Sequence, residues 1–281
     1  MREYDAETLR HVQQCELKIL KDVARICDGQ GLTYFGLAGT GIGAIRHKGF
    51  IPWDDDIDIG MPARDLEQLV KIIREEHAGT YDVINADIDS NYPLATTRIM
   101  LKGTQFCAET LSELPLDLGI FLDMYAFDNV ADDENAYRKQ AWDAWFWAHI
   151  RILISVSHPV IQVRGWRGLL LRFACAGAHA FARILRISPE FAYRKEREAR
   201  RRYANEATSR IGYLCDTNRF TQTYAWDDIK PFLDLDFEDM KLHFPREIDA
   251  MLREMFGDYM QLPPVEKRKN HFPARLNFGA Y

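Results

Sequence analysis

The stretch Trp53-Asp54-Asp55-Asp56-Ile57-Asp58-Ile59-Gly60-Met61 constrains this chain more than any other. From Asp56 onward acid and apolar residues alternate, which is the period of a half-buried β-strand. Asp56 and Asp58 then share one face, which Asp54 continues, while Ile57, Ile59 and Met61 face a core. Carboxylates two residues apart on a strand lie only about 6–7 Å from each other. Like charges that close raise one another's pKa unless a cation lies between them. A divalent ion resolves the conflict, and oxygen ligands without Cys or His favour Mg²⁺, or Mn²⁺. Asp55 points away and reads as structural.

The neighbouring sequence supplies a frame for that strand. An amphipathic helix is expected over 5–28, with Leu9, Val12, Leu17, Leu20, Val23 and Ile26 near a 3.6-residue period and glycines at its end. A strand over 33–37 runs into Ala38-Gly39-Thr40-Gly41-Ile42-Gly43, read as a glycine-rich turn, and 44–47 continues as a short helix. Pro62 suits the first turn of a helix that reaches about residue 77. Further strands are expected over 81–85, 95–101 and 120–127, so the first half is an α/β module. From 135 to about 207 turn signals thin out and helices dominate. A hairpin fits within 212–244, and a last helix over 245–256 ends at Gly257. No repeat or low-complexity linker divides the chain, and a single domain with a helical insertion is expected.

Gly39 and Thr40 stand about sixteen residues before the acids. Amides in a strand-to-helix turn, with the following helix N-terminus, cradle phosphate. A phosphate cradle beside a metal site is the arrangement of a nucleotidyltransferase-type centre. Asp123, among apolar residues of the 120–127 strand, is the expected third acid, since an unpaired charge there is costly. Asp117 and Asp128 read as loop acids. Arg46 is placed to neutralise phosphate oxygens and Arg98 to act as a second clamp. His47 is a candidate acid or base, although a lone His is more often structural.

These residues closely resemble the core motif of LicD-family phosphotransferases, over the continuous run 39–61. Leu122-Asp123-Met124-Tyr125-Ala126-Phe127-Asp128 is similar to a second family strand, with Ala126 where proline is usual. Phe256-Gly257-Asp258-Tyr259, Pro263-Pro264, Lys267-Arg268 and His271 resemble the family's C-terminal segment. The resemblance implies a nucleotidyltransferase-like mixed sheet flanked by helices (α/β, or α+β), with a core over about 30–130, a helical region over about 135–208 and a C-terminal segment over about 209–281. It implies transfer of a phospho-alcohol, phosphocholine from CDP-choline in the best-known members, to a hydroxyl of a cell-surface glycan or teichoic acid precursor, with release of CMP. Asp56, Asp58 and Asp123 would hold Mg²⁺ and Gly39 and Thr40 would touch the donor phosphates. A quaternary ammonium wants an aromatic cage, and Trp53 is the first candidate because it abuts the acids.

Composition limits the partners. The net charge of −6 argues against general nucleic-acid binding. Five scattered cysteines without a CxxC pair suggest neither a zinc ribbon nor a disulfide framework, and a reducing cytoplasm is the expected compartment. The arginine-laced stretch 164–202 could meet an anionic membrane surface, consistent with a lipid-linked glycan acceptor, or form a solvated face of ion pairs. Two other classes share part of the motif set. One is a nucleotidyltransferase acting on a sugar, protein or small molecule; the other is a non-catalytic nucleotide-binding protein.

Overall fold

The computed structural model describes residues 4–112, 114–155, 177, 187–268 and 270–281. The first helix, α1 (Ala6–Gln30), starts at Asp5, whose carboxylate accepts from the Thr8 amide, and stops at Gly31 in the left-handed region. Its apolar face buries Val12, Ile19, Leu20, Val23 and Cys27 in the main core. The expected strand at 33–37 shrinks to β1 (Phe35–Gly36). The expected glycine-rich turn is instead helical. A single helix, α2, spans Ala38–His47 and takes in Gly39 and Thr40 in its first turn. The glycines serve packing rather than turning. A Cβ built on Gly43 would meet the Gly49 carbonyl oxygen at 2.3 Å, and one on Gly41 would press on Ile248.

The acidic strand also begins later than its alternation suggests, as β2 (Asp58–Pro62). Asp54, Asp55 and Asp56 precede it in an extended segment. The Gln13 amide donates to the Asp54 carbonyl at 2.9 Å, and the Asp55 carboxylate accepts from the Tyr4 hydroxyl and the His271 backbone N–H. Helix and chain end therefore take the hydrogen bonds that a strand neighbour would have supplied. Next come α3 (Ala63–Glu76), β3 (Tyr81–Ile84), β4 (Thr97–Leu101), β5 (Gln105–Ala108) and β6 (Phe121–Val130).

The main sheet is mixed. Its order is β1-β2-β6-β4-β3, and β2 and β6 are parallel while the other pairs on that path are antiparallel. Two later strands, β7 (Arg210–Gly212) and β8 (Thr223–Ala225), extend it from the far end of β6. The expected hairpin is β9 (Leu233–Phe237) with β10 (Met240–Phe244). A final strand, β11 (Pro273–Asn277), returns to pair with β5, a long-range pairing with no local signal in the sequence. Ile57, Ile59 and Met61 are fully buried, as their alternation requires. The mixed sheet flanked by helices is the architecture anticipated from the sequence.

Two long helices cover the other part of the chain, α4 (Glu134–Ser155) and α5 (Pro189–Arg200), the second capped by the Ser188 hydroxyl. Between them is a buried charge cluster. Arg151 and Glu196 are fully buried and 2.9 Å apart, and Arg200 joins Glu196 to Asp128 at 3.3 and 2.8 Å. Asp128 is thus a buried strand residue rather than the loop acid expected. Of the basic stretch 164–202, residues 164–176 and 178–186 lie outside the described residues. In the remainder, Arg200 points inward, and Arg197, Arg201 and Arg202 pair with Glu67, Asp87, Asp128 and Asp143. No helix among the described residues is long and apolar enough to cross a membrane. The last helix, α6 (Ile248–Phe256), ends at Gly257 as expected.

The close approach at Gly43 yields a direct test. Gly43→Ala should destabilise the protein by roughly 1–3 kcal/mol, since backbone rather than a mobile side chain must give way. Gly29→Ala, where a Cβ meets nothing within 4 Å, should stabilise by about 0.5 kcal/mol. Urea unfolding of both variants measures the contrast, and equal midpoints would refute the helix–loop contact.

Candidate active site

Parallel pairing of β2 with β6 sets Asp58 directly beside Asp123. Asp54 and Asp56 come in from the extended segment ahead of β2, so the four carboxylates meet through three different backbone contexts. The start of α2 lies against them. The Thr40 hydroxyl oxygen accepts from the Asp58 backbone N–H at 2.8 Å, and the Leu37 N–H donates to the Asp58 carbonyl. No side chain caps α2. A helix start with free amides attracts negative charge. Gly39 is needed here for space, because a Cβ on it would lie 3.0 Å from Asp54 Oδ2 and 3.8 Å from Asp58 Oδ2.

Electrostatic conflict is the dominant property of the site. Burial pushes the Asp54, Asp56 and Asp58 carboxyls up, and each is pushed further by acids beside it. Tyr125 partly relieves Asp58 by a hydrogen bond. Contact with Asp55, then the charge of Asp56, raises the His271 imidazole to about 10, so His271 is a cation at neutral pH. Its Nδ1 lies 3.2 Å from Asp56 Oδ2. Asp123 is balanced differently. Its Oδ1 accepts from the Thr96 hydroxyl at 3.0 Å and Arg98 Nε at 3.1 Å, and Arg98 Nη2 reaches Oδ2 at 3.3 Å.

Several side chains sit differently from their sequence reading. Arg98 is no open phosphate clamp; it is buried and committed to Asp123. Thr40 uses its oxygen to hold β2. His47 is not among the acids. Its Nε2 accepts from Arg46 Nε at 2.8 Å, and burial with the nearby Arg46 charge pushes its pKa down, which favours a neutral ring. The Trp53 ring already holds a cation of the chain itself, with the Arg268 guanidinium 4.2 Å and that of Arg46 6.0 Å from its centroid. Arg46 itself is fastened to the Tyr259 carbonyl.

The sequence reading missed Glu16. It is fully buried in α1, its two carboxylate oxygens have no hydrogen-bond partner among the described residues, and burial followed by the charges of Asp55, Asp56, Asp54 and Asp123 raises its pKa well above the ordinary value. A signal existed, because Glu16 interrupts the apolar face formed by Val12, Ile19, Leu20 and Val23. His271 and Arg268 were visible only as parts of a C-terminal motif. Folding of that segment onto the acidic run makes them site residues.

An oxygen-only donor set packed too tightly for its own charge fits a hard divalent cation in its chemistry. Among the described residues no three acidic, His or Cys side chains are already drawn together as a finished metal cage. Asp123 Oδ1 already accepts two hydrogen bonds, whereas Oδ2 accepts one and keeps a lone pair.

Residues 31–152 match the family model described as LicD/FKTN/FKRP, nucleotidyltransferase domain. The chain carries a LicD-family domain. The matched residues include α2, the acidic segment, β2 and β6, so the LicD domain encloses all four clustered aspartates. Similarity extends past the domain. Over 279 residues the chain is 26% identical to the lipopolysaccharide cholinephosphotransferase LicD of Haemophilus influenzae, covering 94% of this chain and 96% of that one. Shorter matches join it to uncharacterised proteins of Rickettsia prowazekii, 38% identical over 20% of this chain and 21% of that protein, and Rickettsia typhi, 40% identical over 17% and 16%.

The conflict among carboxylates predicts a gain in stability on neutralising one. Asp54→Asn removes a carboxyl group whose ionised form is disfavoured by burial and by the acids beside it. It should raise the melting midpoint of chelator-treated protein, by about 2–4 °C for each kcal/mol of repulsion relieved. Calorimetry with and without Mg²⁺ checks this, and a lowered midpoint in chelator would overturn the like-charge account.

Proposed function

We propose that this protein is a phosphotransferase that moves phosphocholine from CDP-choline to a hydroxyl of lipopolysaccharide or a related lipid-linked glycan, releasing CMP. The observation that carries the reading is near-full-length similarity to a protein named for cholinephosphotransferase activity, with four aspartates clustered in the matching domain. Asp56, Asp58 and Asp123 would hold Mg²⁺, or Mn²⁺. When bound, the ion supplies charge neutralisation at the phosphates and lowers the pKa of a hydroxyl next to it.

The chain's own residues do the rest. The uncapped start of α2, at Gly39 and Thr40, offers amides to the donor phosphates. Thr40 holds the Asp58 backbone, and Arg98 with Thr96 fixes the Asp123 carboxylate, so the acids keep their positions as charge shifts during reaction. The acceptor oxygen forms a bond to the choline-bearing phosphorus as the bond to the CMP oxygen breaks. The hydroxyl proton passes to a carboxylate of the site, Asp123 or Asp58. CMP departs with the electron pair of the broken bond.

Asp56→Asn and Asp58→Asn should each lower CMP formation from CDP-choline and lipopolysaccharide by about 10²–10³-fold or more while leaving circular dichroism unchanged. Near-wild-type turnover in either variant would remove these residues from the reaction. Pyrophosphate from CTP with transfer of a nucleotide, in place of CMP from CDP-choline, would identify a nucleotidyltransferase instead.

A further inference from the structure

The four clustered aspartates lie within residues 31–152, yet Asp56 is contacted from outside that span. The contact comes from the segment that leads into β11. Its backbone is held at three successive residues. The His271 N–H donates to Asp55 Oδ1 at 2.7 Å, the Phe272 ring packs on Tyr4 with centroids 4.7 Å apart, and Pro273 pairs with Ala108 of β5. Asp55 is itself fixed, being fully buried and accepting from the Tyr4 hydroxyl on its other oxygen at 2.8 Å. Residue 271 is therefore placed by its backbone and its neighbours, without help from its own side chain.

The imidazole is 58% exposed, and what it touches is carboxylate. Its Nδ1 lies 3.4 Å from Asp55 Oδ1 and 3.2 Å from Asp56 Oδ2, so one ring nitrogen spans the structural acid and the adjacent acid of the cluster. Among the described residues no other cationic side chain pairs with Asp56. Its companions are restrained in other ways. Asp123 has Arg98 and Thr96, and Thr40 holds the Asp58 backbone. Asp56 precedes β2 and so has neither a position in the sheet ladder nor an arginine.

Polar groups behind a metal ligand hold it in the orientation that the ion requires. Imidazole Nδ1 bears a hydrogen both in the imidazolium and in one neutral tautomer, so the contact with Asp56 survives a change in ring charge when an ion enters.

We propose that His271 is a positioning residue of the cation site, its Nδ1 orienting the Asp56 carboxylate for a divalent ion. The role rests on the reading of the clustered acids as a cation site. It makes that site a product of the whole chain, since Tyr4 fixes Asp55 from one end and His271 reaches Asp56 from the other.

Binding of Mn²⁺ to the full chain, read as loss of the free-ion signal in electron paramagnetic resonance, tests this without turnover. Two substitutions separate orientation from charge. His271→Asn and His271→Ala both remove the ring and its charge, and both keep the backbone N–H that docks the segment on Asp55. Only Asn keeps a side-chain N–H donor near the place of Nδ1. His271→Ala should bind Mn²⁺ about 10–100-fold more weakly than His271→Asn, while the two variants melt at closely similar temperatures in chelator. Equal affinities would overturn the proposal and leave His271 as a counter-charge. Melting of His271→Ala well below His271→Asn in chelator would mark the side chain as structural and also overturn it. Absence of Mn²⁺ binding by the wild type would instead remove the cation site itself, and the positioning role with it.

Discussion

Burial of several carboxylates around one point is the constraint on which this structure turns. Asp54, Asp56 and Asp58 lose water and face one another, and Asp123 and Glu16 add to the negative field. Such a cluster cannot hold itself together. It persists because separate parts of the chain each contribute a restraint: the segment before α1 through Tyr4, α1 through Gln13, α2 through Thr40, β4 through Arg98, and the C-terminal segment through His271. A bound cation would turn the same repulsion into attraction, so stability given up in the free protein becomes binding energy.

The restraints differ in character. Arg98 compensates Asp123 fully enough to be locked there, since both side chains are buried and either one alone would be left as an unpaired charge. His271 is a weaker anchor on a more exposed segment, and the imidazolium it maintains reaches Asp56 from outside. Asp123 is thus held by the sheet itself, while Asp56 depends on a chain end that comes back from more than two hundred residues away. The Arg151–Glu196–Arg200–Asp128 cluster does comparable work elsewhere, tying α4 and α5 to β6.

Much of the frame was legible in the sequence. Apolar periodicity located α1, α3 and the inner strands to within a few residues, and the alternation of acids with Ile57, Ile59 and Met61 identified the buried face of β2 correctly. The errors share a cause. Glycines at 39, 41 and 43 read as turn formers, yet they lie in a helix whose neighbours approach too closely for a Cβ. Arg98 and Trp53 carry the right chemistry for phosphate and choline, but their partners come from distant residues, Asp123 and Arg268.

The sequence by itself determined the residue types at the site, the order of the elements that carry them and the likeness of its core motif to LicD proteins. Those depend on local spacing, which a linear chain records. Tertiary structure alone decided that Asp58 stands beside Asp123, that Glu16 shares their field, that Arg98 is spent on an acid, and that His271 reaches Asp55 and Asp56. Each of these is set by strand register or long-range packing, where one residue of slip moves a side chain to the opposite face.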